Sequence, residues 1–361
     1  PEPMQLVLRF IFAAILCLPA MLASAADVRT GPQPADEPVI VRAGFMLYDI
    51  NEIEETTETF EFEGAMLLSW NDPRQAFDPA VEGVDERVFK GDFQFTELFD
   101  GWWPQVVLAN QSGALDSQGV VLRIAPDGTV WYVQEIDAIA ESPMDLRFFP
   151  FDRQSLEIHF KFLGYGVDEV RFEPVDDYSS LLPQRGNAIG NAEWRIDAYA
   201  VTAGEDPSAI AGPGAVGQGS TLRIDIEAGR NPAYLIRTIV LPLALIVVLS
   251  WSIFWMDRES LGNRMDISFI ALLTVVAFQT IVEQALPAIP GFTLMAGFIM
   301  LNYLLLAATI AVNLRVDRLD RAGRRAEGDS LDLRCRWLFP LLYFAVFPVL
   351  LVVMAAMQQV G

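Results

Sequence analysis

The chain has 361 residues, with 47 acidic side chains against 25 basic ones, a formal net charge of −22, and 52% hydrophobic residues. That balance offers no basic face to phosphates, which excludes nucleic acid as a partner. One histidine and two cysteines leave too few groups for a zinc site or a hydrolytic triad, so no enzyme, cofactor or metal site is expected. High acidity beside high hydrophobicity reads as an acidic soluble part joined to a membrane part.

Residues 1–26 are expected to be a cleaved leader. Arg9 precedes the apolar run Phe10 to Leu18, and Ala23-Ser24-Ala25 fits the small-residue cleavage pattern. Cys17 leaves with that leader, so Cys335 has no disulfide partner, which is compatible with a bacterial periplasm.

Residues 36–230 are expected to form the exported domain. Ser155 to Phe162 alternates polar and apolar without a break, the pattern of a strand with one buried face. Thr59 to Glu63, Trp194 to Ala198 and Leu222 to Glu227 alternate similarly. Val120 to Ile124 and Thr129 to Ile136 flank the turn signal Pro126-Asp127-Gly128. Many short strands without a long amphipathic helix predict a β-sandwich. Ala203 to Ser220, rich in Gly, Pro, Ala and Ser, reads as an exposed loop. His159 falls on the polar face of its strand and reads as solvated. The run Glu52, Glu54, Glu55, Glu58, Glu61, Glu63 reads as a solvated face rather than a calcium site.

Residues 231–361 carry apolar segments at about 233–256, 265–285, 292–314 and 337–357. Each is long enough to cross a hydrocarbon layer of ~30 Å as a helix. Arg315, Arg318, Arg321, Arg324, Arg325, Arg334 and Arg336 crowd the link 315–336. The positive-inside rule puts that link in the cytoplasm. The N-terminal domain and the C-terminus then both lie outside.

The second segment is too polar for a helix that touches only lipid. Asp266, Ile270, Leu273, Ala277, Thr280 and Gln284 follow a 4-3-4-3-4 spacing, which is one helical stripe. It is charged at one end, apolar in the middle and polar at the other, which suits water at both ends and a dewettable centre. A closed ring of identical copies turns such a stripe into a pore. The competing reading is a packing seam in a non-conducting, membrane-anchored periplasmic sensor or binding protein.

Several motifs now converge. They are Ser142-Pro143-Met144-Asp145-Leu146-Arg147-Phe148-Phe149-Pro150-Phe151-Asp152, Trp102-Trp103-Pro104, Arg230 ahead of Pro242, Leu272 to Phe278, Leu286-Pro287, and Arg334-Cys335-Arg336 to Pro340. With the layout from about Pro38 onward, the chain resembles the bacterial branch of the pentameric ligand-gated ion channels, the Cys-loop receptor superfamily. The resemblance implies an all-β, immunoglobulin-like extracellular sandwich followed by a four-helix transmembrane bundle. It further implies a homopentamer around a central pore in a bacterial inner membrane.

By that resemblance Asp266 is the selectivity ring, Ile270 and Leu273 the hydrophobic gate, and Ala277, Thr280 and Gln284 the outer pore lining. Five carboxylates around a narrow mouth favour monovalent cations. The Phe149-Pro150-Phe151-Asp152 loop is expected to press on Leu286, Pro287 and Pro290, and Arg230 to pair with Asp152 and Glu55, coupling the domains. Relatives that bind amines use an aromatic box. Here Ala109 and Leu163 stand where aromatics are common, leaving Trp70, Trp103 and Tyr165 as agonist-site candidates. Protons or a small ligand are the expected signal, with divalent cations as modulators and Glu58 as the proton-sensing candidate.

Overall fold

A computed structural model describes residues 31–32, 37–91, 99, 101–175, 193–212, 215–256, 261–285 and 293–358. The expected leader lies outside them.

Among the described residues ten strands make two sheets. In chain order they are β1 (Val39–Glu54), β2 (Thr59–Asn71), β3 (Arg87–Gly91), β4 (Val106–Leu108), β5 (Gln111–Ile124), β6 (Thr129–Glu141), β7 (Arg153–Phe162), β8 (Val170–Pro174), β9 (Trp194–Gly212) and β10 (Ala215–Arg230). One sheet has the order β3-β5-β6-β2-β1-β8, the other β4-β7-β10-β9. All pairings are antiparallel except that of β1 with β8.

Period-two burial explains why the sheets face each other. Along β7, Gln154, Leu156, Ile158, Phe160 and Phe162 are buried, while the residues between them are not. Their apolar faces meet in one core that includes Phe45, Phe62, Phe160 and Ile224. The Phe162 and Phe172 rings stack there at 3.8 Å. At the β5–β6 turn Gly128 has φ +84, and a Cβ would lie 2.5 Å from the Asp72 carbonyl oxygen, so only glycine fits.

Two expectations need correction. Residues 203–212 and 215–220 are not a loop: they belong to the paired strands β9 and β10, with Ser220 opposite Glu205 and Leu222 opposite Ala203. The ladder needs only backbone groups, and small side chains do not obstruct it. β9 is an edge strand, where the missing N–H of Pro207 is tolerated, and bulges around Gly217 absorb the irregular register. His159 is also not simply solvated. Its side chain is 36% exposed, and Nε2 lies 2.9 Å from Glu157 Oε2.

Past Arg230 the chain becomes helical. The helices are α1 (Ala233–Trp255), α2 (Leu261–Ala285), α3 (Leu294–Arg321) and α4 (Arg325–Gln358). Ile236–Val240 of α1 is wound as a π-turn just ahead of Pro242, whose ring would clash with the Thr238 carbonyl in a regular α-helix. The expected link 315–336 is mostly helix. α3 runs to Arg321 and α4 restarts at Arg325, around Gly323 at φ +75. Ion pairs at helical spacing, Asp317–Arg321 at 3.0 Å and Arg324–Glu327 at 2.6 Å, support this charged stretch.

Among the described residues, α1 and α3 are long and apolar enough to cross a membrane. Leu241, Leu245, Leu249, Leu304, Leu341 and Phe344 are each more than half exposed. So much outward-facing apolar surface is suited to lipid or to neighbouring subunits, not to water. Inside the helices, Val247, Trp251, Val275 and Phe298 are buried together.

Candidate functional site

α2 has two faces of opposite character. Arg264, Ser268, Ala271 and Val275 recur at 4-3-4 spacing and are all buried. On the other side Asp266, Ile270, Leu273, Ala277 and Thr280 are all exposed, Ile270 at 63% and Leu273 at 69%. Thr280 directs its hydroxyl to the Val276 carbonyl at 3.3 Å, a bond within the helix. The Gln284 side chain lies outside the described residues. The buried face packs on α1 and α3; among the described residues nothing covers the stripe from Asp266 to Thr280.

At the other end of the helices lies a buried cationic knot. Arg230 closes β10, immediately before α1, and its side chain has no solvent exposure. Nε donates to Asp152 Oδ1 at 2.9 Å, Nη2 to Glu55 Oε1 at 2.6 Å, and Nη1 to Glu193 Oε1 at 2.6 Å. The guanidinium also lies 4.0 Å from the Trp194 ring centroid and 4.8 Å from that of Phe149. Burial works against its charge, but the Asp152 and Glu55 carboxylates outweigh burial and hold its pKa above the ordinary arginine value. Gln154 donates to Asp152 Oδ2 at 2.7 Å and to the Asp145 carbonyl at 2.9 Å, which ties the Ser142–Asp152 segment to the knot.

The structure thus gathers Glu55, Asp152 and Arg230, the set named for pairing. It adds Glu193, Trp194 and Gln154, which the sequence did not single out. Glu193 is 37 positions from Arg230, and no local pattern links them. Phe149 is buried in the same apolar cluster as Leu235 and Met295 of the helices. The Arg147 and Phe149 carbonyls accept the Leu294 and Met295 amides at 3.1 and 3.2 Å. The sandwich therefore rests on the start of α3. The expected contacts with Leu286, Pro287 and Pro290 lie outside the described residues. Pro150 and Phe151 complete the loop, with the Phe151 amide bonded to the Phe148 carbonyl at 2.8 Å.

The aromatic candidates separate by burial. Trp70 is 3% exposed and belongs to the sandwich core, so it cannot face a ligand. Its large apolar surface is satisfied by Trp102, edge-to-face at 5.9 Å. Trp103 and Tyr165 are half-buried at the core margin, and Tyr165 OH accepts the Trp102 indole N–H at 3.0 Å.

Acids line up across the larger sheet. Asp49, Glu63, Asp137 and Asp116 are successive cross-strand partners on β1, β2, β6 and β5. Directly opposed like charges repel. Burial, then Glu61, Glu63 and Asp116, push the Asp137 carboxyl above the ordinary aspartate range. Asn51 of β1 donates to Glu63 at 2.9 Å and to Glu61 at 3.4 Å. A cleft of about 260 Å³ beside this row is lined by Tyr48, Glu63, Gly64, Glu135, Ile136 and Asp137. Glu58 sits in the β1–β2 turn at φ +54, where its carbonyl accepts the Ser142 amide at 2.8 Å. Among the described residues no three His, Cys, Asp or Glu side chains are grouped to hold a metal ion.

A sandwich that meets apolar helices at a buried arginine defines a class: a protein whose β-sheet part and membrane-type helical part share a chain. The neurotransmitter-gated ion-channel ligand binding domain family matches residues 21–211, and the neurotransmitter-gated ion-channel transmembrane region family matches residues 239–329. The chain belongs to this family of ligand-gated ion channels, which are membrane proteins and not enzymes. It is 28% identical over 319 residues to the proton-gated ion channel of Gloeobacter violaceus, covering 88% of this chain and 84% of the relative. It is 26% identical over 272 residues to the gamma-aminobutyric acid receptor subunit beta-4 of Gallus gallus, covering 73% of this chain and 52% of the relative. It is 24% identical over 291 residues to the acetylcholine receptor subunit beta of Xenopus laevis, covering 79% of this chain and 56% of the relative. The chain thus spans about half the length of these animal receptors.

Proposed function

We propose that five copies of this chain surround a cation-selective pore lined by α2, opened by protons or a small ligand acting on the sandwich. The observation that carries this reading is the uncovered stripe from Asp266 to Thr280, set opposite a fully buried face of the same helix. Cyclic symmetry closes five such stripes into one channel. The Asp266 ring attracts cations at one mouth, and Ile270 and Leu273 make the narrow apolar zone that dewets when shut. The arginines from Arg315 onward support a cytoplasmic position for the Asp266 end and a sandwich outside the inner membrane.

Two observations favour protons as the signal. The Gloeobacter relative is named a proton-gated ion channel. The acidic row around Asp137 loses its mutual repulsion as protons bind, which biases the sheet toward a different packing. Glu58, in the turn beside Glu55, is the second proton-sensing candidate. The knot at Arg230 and the Phe149 loop carry the change to α1 and α3.

The test is current through purified protein in planar bilayers, in asymmetric sodium chloride, as external pH is stepped from about 8 to about 4, a range that spans carboxylate titration. Acid-evoked current reversing near the sodium potential supports the proposal. A reversal potential that follows chloride overturns cation selectivity, and a flat response removes proton gating. Protein that assembles yet passes no current under any ligand favours a non-conducting sensor.

A further inference from the structure

The mouth that carries Asp266 also holds a charge of the opposite sign behind it. Arg264 lies two residues earlier, so roughly 200° around the helix, and is only 1% exposed. Its Nη2 and Nη1 meet Asp332 Oδ1 and Oδ2 of α4 at 3.0 and 3.1 Å, a forked pair. One turn further along α2, the Ser268 hydroxyl donates to the Arg264 carbonyl at 2.9 Å and accepts from Asn313 Nδ2 of α3 at 3.0 Å. The arginine is thereby enclosed by three helices and fixed at the level of the Asp266 ring.

A buried ion pair returns little net stability, because both charges must leave water. Stability alone therefore gives weak reason for the pair. Its electrostatic consequence is larger. Arginine is permanently charged, and fivefold symmetry would set five guanidinium groups in a ring just behind five carboxylates. Unopposed, they would cancel the field that draws cations to the mouth. The Asp332 carboxylate removes that opposition at its source.

We propose that Asp332 is a selectivity-determining counter-charge: by neutralising Arg264 behind the pore wall, it leaves the Asp266 ring in command of the mouth. This rests on the pore reading of α2 and adds to it a residue on a helix that never reaches the pore.

Single-channel conductance and reversal potential in asymmetric sodium chloride test it, on the full-length protein. Asp332→Asn is expected to lower cation conductance by about twofold or more and to move reversal toward chloride. Arg264→Gln added to Asp332→Asn is expected to restore both, since no net charge then remains behind the wall. The Asp332→Asn deficit should be larger at about 0.01 M salt than at about 1 M, where the screening lengths are ~30 and ~3 Å. A purely structural pair also predicts that the double variant recovers assembly, since the stranded charge is gone, but it predicts no shift of reversal potential and no salt dependence in the Asp332→Asn channels that form. If Asp332→Asn fails to assemble, Arg264→Gln alone decides: raised cation conductance supports the proposal and an unchanged value overturns it. Wild-type current that is not cationic would sink the cation-selective reading on which this proposal rests. Cationic wild-type current with indifferent variants sinks this proposal only.

Discussion

Arg230 Nε donates to Asp152 Oδ1 at 2.9 Å, with neither side chain exposed to solvent. The pair joins the last strand to the loop that rests on the helices. Because both charges are out of water, removing Arg230 strands the Asp152 carboxylate without its cation.

Arg230→Ala is expected to cost about 3–5 kcal/mol, the penalty for leaving a buried charge unpaired. The protein that reaches the surface should give little evoked current. Thermal unfolding, together with current normalised to surface protein, measures both. Arg230→Lys keeps the charge but loses the fork and the Trp194 stack, and should fall between. Normal current from Arg230→Ala at normal surface density would remove the coupling role.

Leu273→Ala thins the proposed dry zone. The variant should open more readily, with a leftward shift in signal sensitivity on the order of tenfold, or about 1.4 kcal/mol, and added leak at rest. Dose–response curves and holding current report it. A shut, quiet variant with wild-type sensitivity would mean that the constriction lies elsewhere.

Asp266→Asn should lower cation conductance several-fold, and Asp266→Lys should move the reversal potential toward chloride. The same substitutions should leave the sandwich's thermal unfolding unchanged, because Asp266 is exposed in the helix. Wild-type permeability ratios in both variants would exclude Asp266 from the ion path.

Asp137 gives a pH prediction with a definite sign. Its folded-state pKa lies above the unfolded value of 3.8, so the folded chain holds that proton to higher pH. The corresponding stability is complete below the unfolded value and is lost as pH rises through the folded one. Asp137→Asn, which removes the repulsion with Glu63 and Asp116, should raise the melting temperature near neutral pH. The advantage should vanish in acid, where wild-type Asp137 is itself protonated. Melting curves at stepped pH check this, and an advantage that grows in acid would reverse the assignment.

The residues themselves were enough for the alternating strands, the apolar segments and the stripe on α2. Each is a local periodicity set by the two-residue pleat or the 3.6-residue turn. Asp152, Glu55 and Arg230 were legible only through motif resemblance, since nothing local joins positions 78 and 175 residues apart. Tertiary structure alone decided the rest. It drew residues 203–212 and 215–220 into paired strands, because ladder bonds ignore side-chain identity. It buried Trp70, because a large ring on a strand goes wherever the facing sheet leaves room. It brought Asp332 to Arg264, because ion pairs between helices depend on packing, which no sequence period encodes.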